Sequence, residues 1–221
     1  MLIRGLIFDF DGLILETEGP IFQAWQELYQ DHGCQLTLDT WASIIGAAED
    51  VFDPFSLLEE QLGQPVDRQV LAPQRRLRET ELIAVQPVLP GVQDYLQEAK
   101  RLGLKVGLAS SSSCAWVTGH LSRLGLVDYF NCIRGSDDVV HAKPYPELYL
   151  SALAGLGMQA DQAIALEDSP NGVLAAKRAG LFCVAVPNDL TRQLSLGHAD
   201  MQIDSLASLP LEELLLKVNH R

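Results

Sequence analysis

The chain has 221 residues, 48% of them apolar, enough for one large core with a smaller satellite. Its 16 basic and 29 acidic residues give a formal charge of −13. That balance argues against nucleic acid as a partner and leaves no basic stripe for a membrane surface. No apolar run approaches membrane-spanning length, and the N-terminus has no basic region leading into an apolar stretch and cleavage site. Cys34, Cys114, Cys132 and Cys183 are scattered, with no CxxC pair; buried free thiols of a reducing compartment are expected. The expectation is a cytoplasmic monomer that needs no partner to fold.

The first element is an apolar strand that ends in two aspartates, "IFDFDGLILETE", residues 7–18. Side chains alternate along a strand, so Asp9 and Asp11 point to one side if the extended geometry persists. Residues 17–87 read as helical. Ile21, Trp25, Leu28 and Tyr29 share a face after Pro20; Trp41, Ile44 and Ile45 precede Gly46; and Asp53-Pro54 opens a segment carrying Leu58 and Leu62 before Gly63. A last helix near 66–84 contains Pro73, which either begins it or kinks it. Trp25, Trp41 and Phe22 are expected in the core of this insertion. Arg75, Arg76 and Arg78 are read as a solvated helix face, or alternatively as contacts to an anionic substrate. "AVQPVLPGV" (84–92) is the return linker, with Pro90 at a helix start.

After residue 88 strands and helices alternate. "LKVGLASSSS" is a strand over 104–109 and a serine turn, followed by a helix from Cys114 to Leu124 that Gly125 stops. The same order recurs through "PELYLSALAGLG", "QAIALEDSPNG", "GVLAAKRAG" and "LFCVAVPND". This is the pattern of an α/β, doubly wound parallel sheet, a Rossmann-like core carrying an inserted all-helical domain. The boundaries are 1–16 and 88–221 for the α/β core and 17–87 for the insertion.

In such sheets ligands sit beyond the carboxyl ends of the strands, where Asp9, Ser110 and Asp168 fall. Several carboxylates at one crevice require a cation, and Mg²⁺ suits hard oxygen ligands shared with a substrate phosphate. One aspartate could then attack phosphorus while the other carries a proton. Lys143 would offset negative charge, and Ser110 with nearby N–H groups would hold phosphate oxygens. Each motif alone has a plainer reading: a DG turn, a serine N-cap, a surface lysine, a helix start at Pro170. Their joint occurrence favours the chemistry.

The set "DFDG", "LASS", "AKPYPELY" and "LEDSPNG", in this order, resembles the four motifs of the haloacid dehalogenase superfamily, specifically the β-phosphoglucomutase-like phosphatases with a helical cap. The resemblance implies that Asp9 is nucleophile and metal ligand. Asp11 becomes the general acid/base, contributing its backbone carbonyl to the metal. Ser110 becomes a phosphate donor, Lys143 the charge-balancing lysine, and Glu167 and Asp168 the acidic metal pair. Ser111 and Asn171 are implied as nearby polar contacts to substrate.

Within that family no lysine precedes Lys100, so a Schiff-base lysine in the cap is unavailable and phosphonoacetaldehyde hydrolysis is disfavoured. Ile45 and Glu49 stand where a mutase cap would carry cations, and Asp11 speaks against dehalogenase chemistry. The expected function is a Mg²⁺-dependent phosphatase of a small phosphorylated metabolite, acting through an aspartyl-phosphate. A phosphosugar mutase and a catalytically idle binding module are the alternatives. The cap's acidity and aromatics suggest a substrate without a second strongly anionic end.

Overall fold

A computed structural model describes residues 2–45 and 53–219, with the backbone alone for 42–45 and 193. Gly46 and Glu49 lie outside the described residues, as does the side chain of Ile45. The chain divides into two compact units, Met1–Leu15 with Pro87–Arg221, and Glu16–Gln86.

The first unit is a six-stranded parallel sheet: β1 (Gly5–Phe8), β2 (Lys105–Ala109), β3 (Cys132–Arg134), β4 (Ala163–Glu167), β5 (Phe182–Ala185) and β6 (Met201–Gln202), in the order β3-β2-β1-β4-β5-β6. The α/β expectation therefore holds. Every residue of β1 and β4 is buried, as expected for strands covered on both faces. On one face Ile7, Ala109, Ala165 and Cys183 pack with Leu148, Tyr149, Leu153, Leu156, Val173 and Ala176. Those partners come from α7 (Glu147–Leu156) and α8 (Pro170–Arg178). The strand order reverses between β1 and β4, which places a ligand crevice at their carboxyl ends.

Local signals set the helix ends. Ser113 caps α6 (Cys114–Leu124) by accepting from Trp116 N–H, and Gly125 ends it in the left-handed region. Ser169 caps α8 in the same way, with Pro170 at its first position. Helix α5 spans Val92–Arg101 behind Gly91, so it starts two residues after Pro90, and α9 (Leu211–Asn219) follows β6. The short strands β3 and β6 carry too few residues for a pattern to show in sequence.

The second unit holds α1 (Glu18–Asp31), α2 (Leu38–Ile45), α3 (Pro54–Leu62) and α4 (Arg68–Ala84). Pro73 lies inside α4, which begins five residues earlier at Arg68, behind the Asp67 cap. Trp25 and Trp41 are buried; Phe22 is half-buried, its ring 5.8 Å from that of Trp41. Arg75 departs from the solvated-face reading. Its side chain is 14% exposed, pairs with Glu79 and lies 4.7 Å over Trp25, because stacking covers the guanidinium plane. Arg76 and Arg78 are exposed, the latter paired with Glu27.

Among the cysteines, Cys34, Cys132 and Cys183 are buried and free, whereas Cys114 is half-exposed at the start of α6. No helix among the described residues is long and apolar enough to cross a membrane.

Candidate active site

Asp9 continues the line of β1, its N–H bonded to Leu166 O at 3.0 Å. Extended geometry stops there. The carbonyl of the buried Phe10 accepts from Leu13, Ile14 and Leu15, curling the chain, and Gly12 turns at φ 81°. A Cβ at Gly12 would lie 2.7 Å from Asn188 Nδ2 and closer still to Asp168, so both the turn and the close approach require glycine.

The curl separates the two aspartates' partners. Asp9 accepts from the ammonium of Lys143, which also donates to Glu167 Oε1 at 2.6 Å; the lysine side chain is only 6% exposed. Lys143 comes from the loop before α7, where its peptide bond to Pro144 is cis. Glu167 Oε1 takes a further bond from the buried Tyr149 hydroxyl, and Oε2 one from Ser169 Oγ at 3.4 Å. A Cβ at Gly172 would overlap this carboxylate. Asp168 accepts from Asn188 Nδ2 at 2.8 Å.

Asp11 faces a different set of donors. Ser112 Oγ (2.7 Å) and Ser110 Oγ (3.2 Å) reach its Oδ2, and Trp116 Nε1 reaches Oδ1 at 3.2 Å. Ser110 is fully buried, its hydroxyl also accepting from Ser112 N–H at 3.0 Å. Ser111 and Asn171 are exposed, the first in the serine turn and the second in the first turn of α8.

Carboxylate oxygens of Asp9, Glu167 and Asp168 lie within 4.8 Å of one another, all three residues buried. Burial pushes the Asp9 carboxyl up, to about 7, against the pull of Lys143, and the charges of Glu167 and Asp11 add to the rise. Burial by itself would drive Lys143 down, but Asp9 and Glu167 outweigh it and hold the ammonium above its ordinary value. Burial and the neighbouring Glu167 keep Tyr149 a neutral donor. Among the described residues, three buried carboxylates thus stand beside an ammonium that pairs with two of them, leaving a surplus of negative charge that a divalent cation with oxygen ligands would balance. The residues present fit such an ion.

Four contributors were not singled out in sequence. Tyr149 and Ser112 lie inside quoted motifs but carry no titrating or metal-binding signal of their own. Trp116 reads as an ordinary residue of a helix's first turn. Asn188 follows β5, where the rule for carboxyl ends of strands is the one available pointer.

Residues 6–186 match the model of haloacid dehalogenase-like hydrolases. The chain is 46% identical over 218 residues to YhcW of Bacillus subtilis (strain 168), covering 99% of both chains. It is 30% identical over 219 residues to hexitol phosphatase B of Escherichia coli, covering 96% and 97%. A crystal structure of CbbY from Rhodobacter sphaeroides in complex with xylulose-1,5-bisphosphate aligns with TM-score 0.77 at 29% identity, over 96% of this chain and 99% of that one.

Proposed function

Since the chain belongs to the haloacid dehalogenase-like hydrolase family and hydrolyses phosphate monoesters, we propose that it is a Mg²⁺-dependent phosphatase of small sugar phosphates working through an aspartyl-phosphate on Asp9. The carrying observation is the buried bridge from Lys143 to Asp9 and Glu167 beside Asp168. The relatives named for hexitol phosphate hydrolysis and for a bound sugar bisphosphate support the substrate class.

Asp9, Glu167 and Asp168 would hold the ion through carboxylate oxygens, with Asp11 adding its backbone carbonyl. When bound, Mg²⁺ supplies positive charge to the phosphoryl oxygens and neutralises the carboxylate surplus. Asp9 attacks phosphorus: its carboxylate oxygen bonds to phosphorus as the ester bond breaks, and Asp11 gives its proton to the departing alkoxide. In the second half Asp11 takes a proton from water, the water oxygen bonds to phosphorus, and the bond to Asp9 breaks. Lys143 holds Asp9 in place and offsets charge throughout. Ser110, buried at the end of β2, helps orient Asp11 and borders the phosphate position, with Ser111 and Asn171 as outer polar contacts. The domain bounds of this reading are 17–87 for the helical cap and 1–16 with 88–221 for the catalytic core.

The test measures phosphate release from a panel of monoesters and bisphosphates with and without Mg²⁺, for wild type and Asp9→Asn. Release that needs Mg²⁺ and disappears in Asp9→Asn is expected. Wild-type turnover by Asp9→Asn would remove the covalent mechanism. Isomerised sugar phosphate with little free phosphate would turn the reading towards a mutase.

A further inference from the structure

Asn188 lies in the loop after β5, two residues beyond the 6–186 stretch that matches the family model. Its side-chain Oδ1 accepts from the N–H groups of Leu190 and Thr191, both at 2.9 Å. Its own N–H donates to Thr191 Oγ1 at 3.0 Å, and Thr191 is 1% exposed. The amide is therefore clamped at its oxygen end, so its orientation is not free to invert, and the Nδ2 donor is aimed at Asp168 Oδ2, 2.8 Å away. Gly12 permits this approach, since a Cβ there would crowd both Asp168 and Asn188.

Three carboxylates brought within 4.8 Å of one another repel, so each needs a donor that holds its oxygen in place. Lys143 holds two of the three, Asp9 and Glu167. Asn188 holds the third. We infer that Asn188 is a positioning residue for the cation site, fixing Asp168 so that a carboxylate oxygen stays beside those of Asp9 and Glu167. Partners that orient a metal's ligands typically change affinity by about 10–100-fold when removed. The inference rests on the Mg²⁺ reading of the site.

The experiment is calorimetric titration of Mg²⁺ into the metal-free full chain, for wild type, Asn188→Ala, Asn188→Ser and Thr191→Val. Serine can still accept the loop N–H groups but is too short to reach Asp168. Asn188→Ala and Asn188→Ser are expected to raise Kd about tenfold or more. The Mg²⁺ concentration for half-maximal phosphate release should rise by the same factor. Thr191→Val, which disturbs the loop but keeps the Asn188 donor, is expected to change Kd by less than about threefold. Wild-type Kd in a folded Asn188→Ser would overturn the inference and leave the Mg²⁺ reading intact. Equal weakening in Thr191→Val would assign the effect to loop folding and overturn it as well. Absence of Mg²⁺ binding by wild type would overturn both.

Discussion

Trp116 Nε1 donates to Asp11 Oδ1 across 3.2 Å, while the serines at 110 and 112 hold the opposite oxygen. Hydroxyls can rotate towards another acceptor, but an indole N–H points where its ring points. That ring is edge-packed on His120, with 4.4 Å between centroids. Trp116 is therefore the one of these three donors whose direction is fixed by the placement of its ring.

Trp116→Phe keeps the ring and deletes the donor. Turnover is expected to fall about tenfold, equivalent to ~1.4 kcal/mol of barrier, with little change in thermal midpoint. Steady-state phosphate release together with a melting curve checks both. Unchanged turnover would show that the serines alone orient Asp11.

Gly172→Ala inverts the usual sign of a helical substitution. Alanine in place of glycine ordinarily stabilises a helix by about 1 kcal/mol. At position 172 the new methyl would overlap the Glu167 carboxylate, which Lys143, Tyr149 and Ser169 already fix from other sides. A loss of about 1–3 kcal/mol is expected, read by urea unfolding. A stabilised variant would contradict the packing of Glu167 against the first turn of α8.

Asp53→Ala tests the helical unit through pH. Burial pushes the Asp53 carboxyl up, but bonds from Ser56 and Phe55 N–H and the guanidinium of Arg68 outweigh it and leave it below its ordinary value. A depressed folded value means the unfolded chain binds the proton more readily, so this contribution is present above the unfolded value, near 4, and fades as pH falls through the folded one. Asp53→Ala should cost about 1 kcal/mol at pH 7, as lost N-caps do. The gap from wild type should close on acidification below about pH 4. Unfolding curves at pH 7, 4 and 3 read it; a gap independent of pH would assign the cost to helix propensity alone.

Much of the core was legible because its signals are local. Ser113, Gly125, Ser169 and Pro170 end or begin helices by backbone rules that operate within one turn, and the helices fall where those residues put them. Pro73 leaves two readings open in sequence, a helix start or a kink, and the structure removes the first, since α4 already begins at Arg68 behind the Asp67 cap. In sequence the run of Arg75, Arg76 and Arg78 looks like any charged helix face, solvated or aimed at an anion, whereas the stacking of Arg75 on Trp25 depends on a residue fifty positions earlier.

The sequence by itself determined the parallel α/β core, the helical insertion and the residue types at the strand ends, since periodicity, caps and short motifs act over a few residues. Through the rule for carboxyl ends of strands it also placed Asp9, Ser110 and Asp168 within reach of one crevice, while Lys143 joined them through the family resemblance. Only the tertiary structure decided how those charges are divided. The turn after Phe10 gives Asp9 to Lys143 and Asp11 to Trp116 and Ser112. Tyr149 and Asn188 reach the acidic pair from α7 and from beyond β5. Hydrogen bonds between residues so far apart in the chain depend on side-chain direction to within a few tenths of an ångström, which strand pairing and helix packing fix and residue order does not.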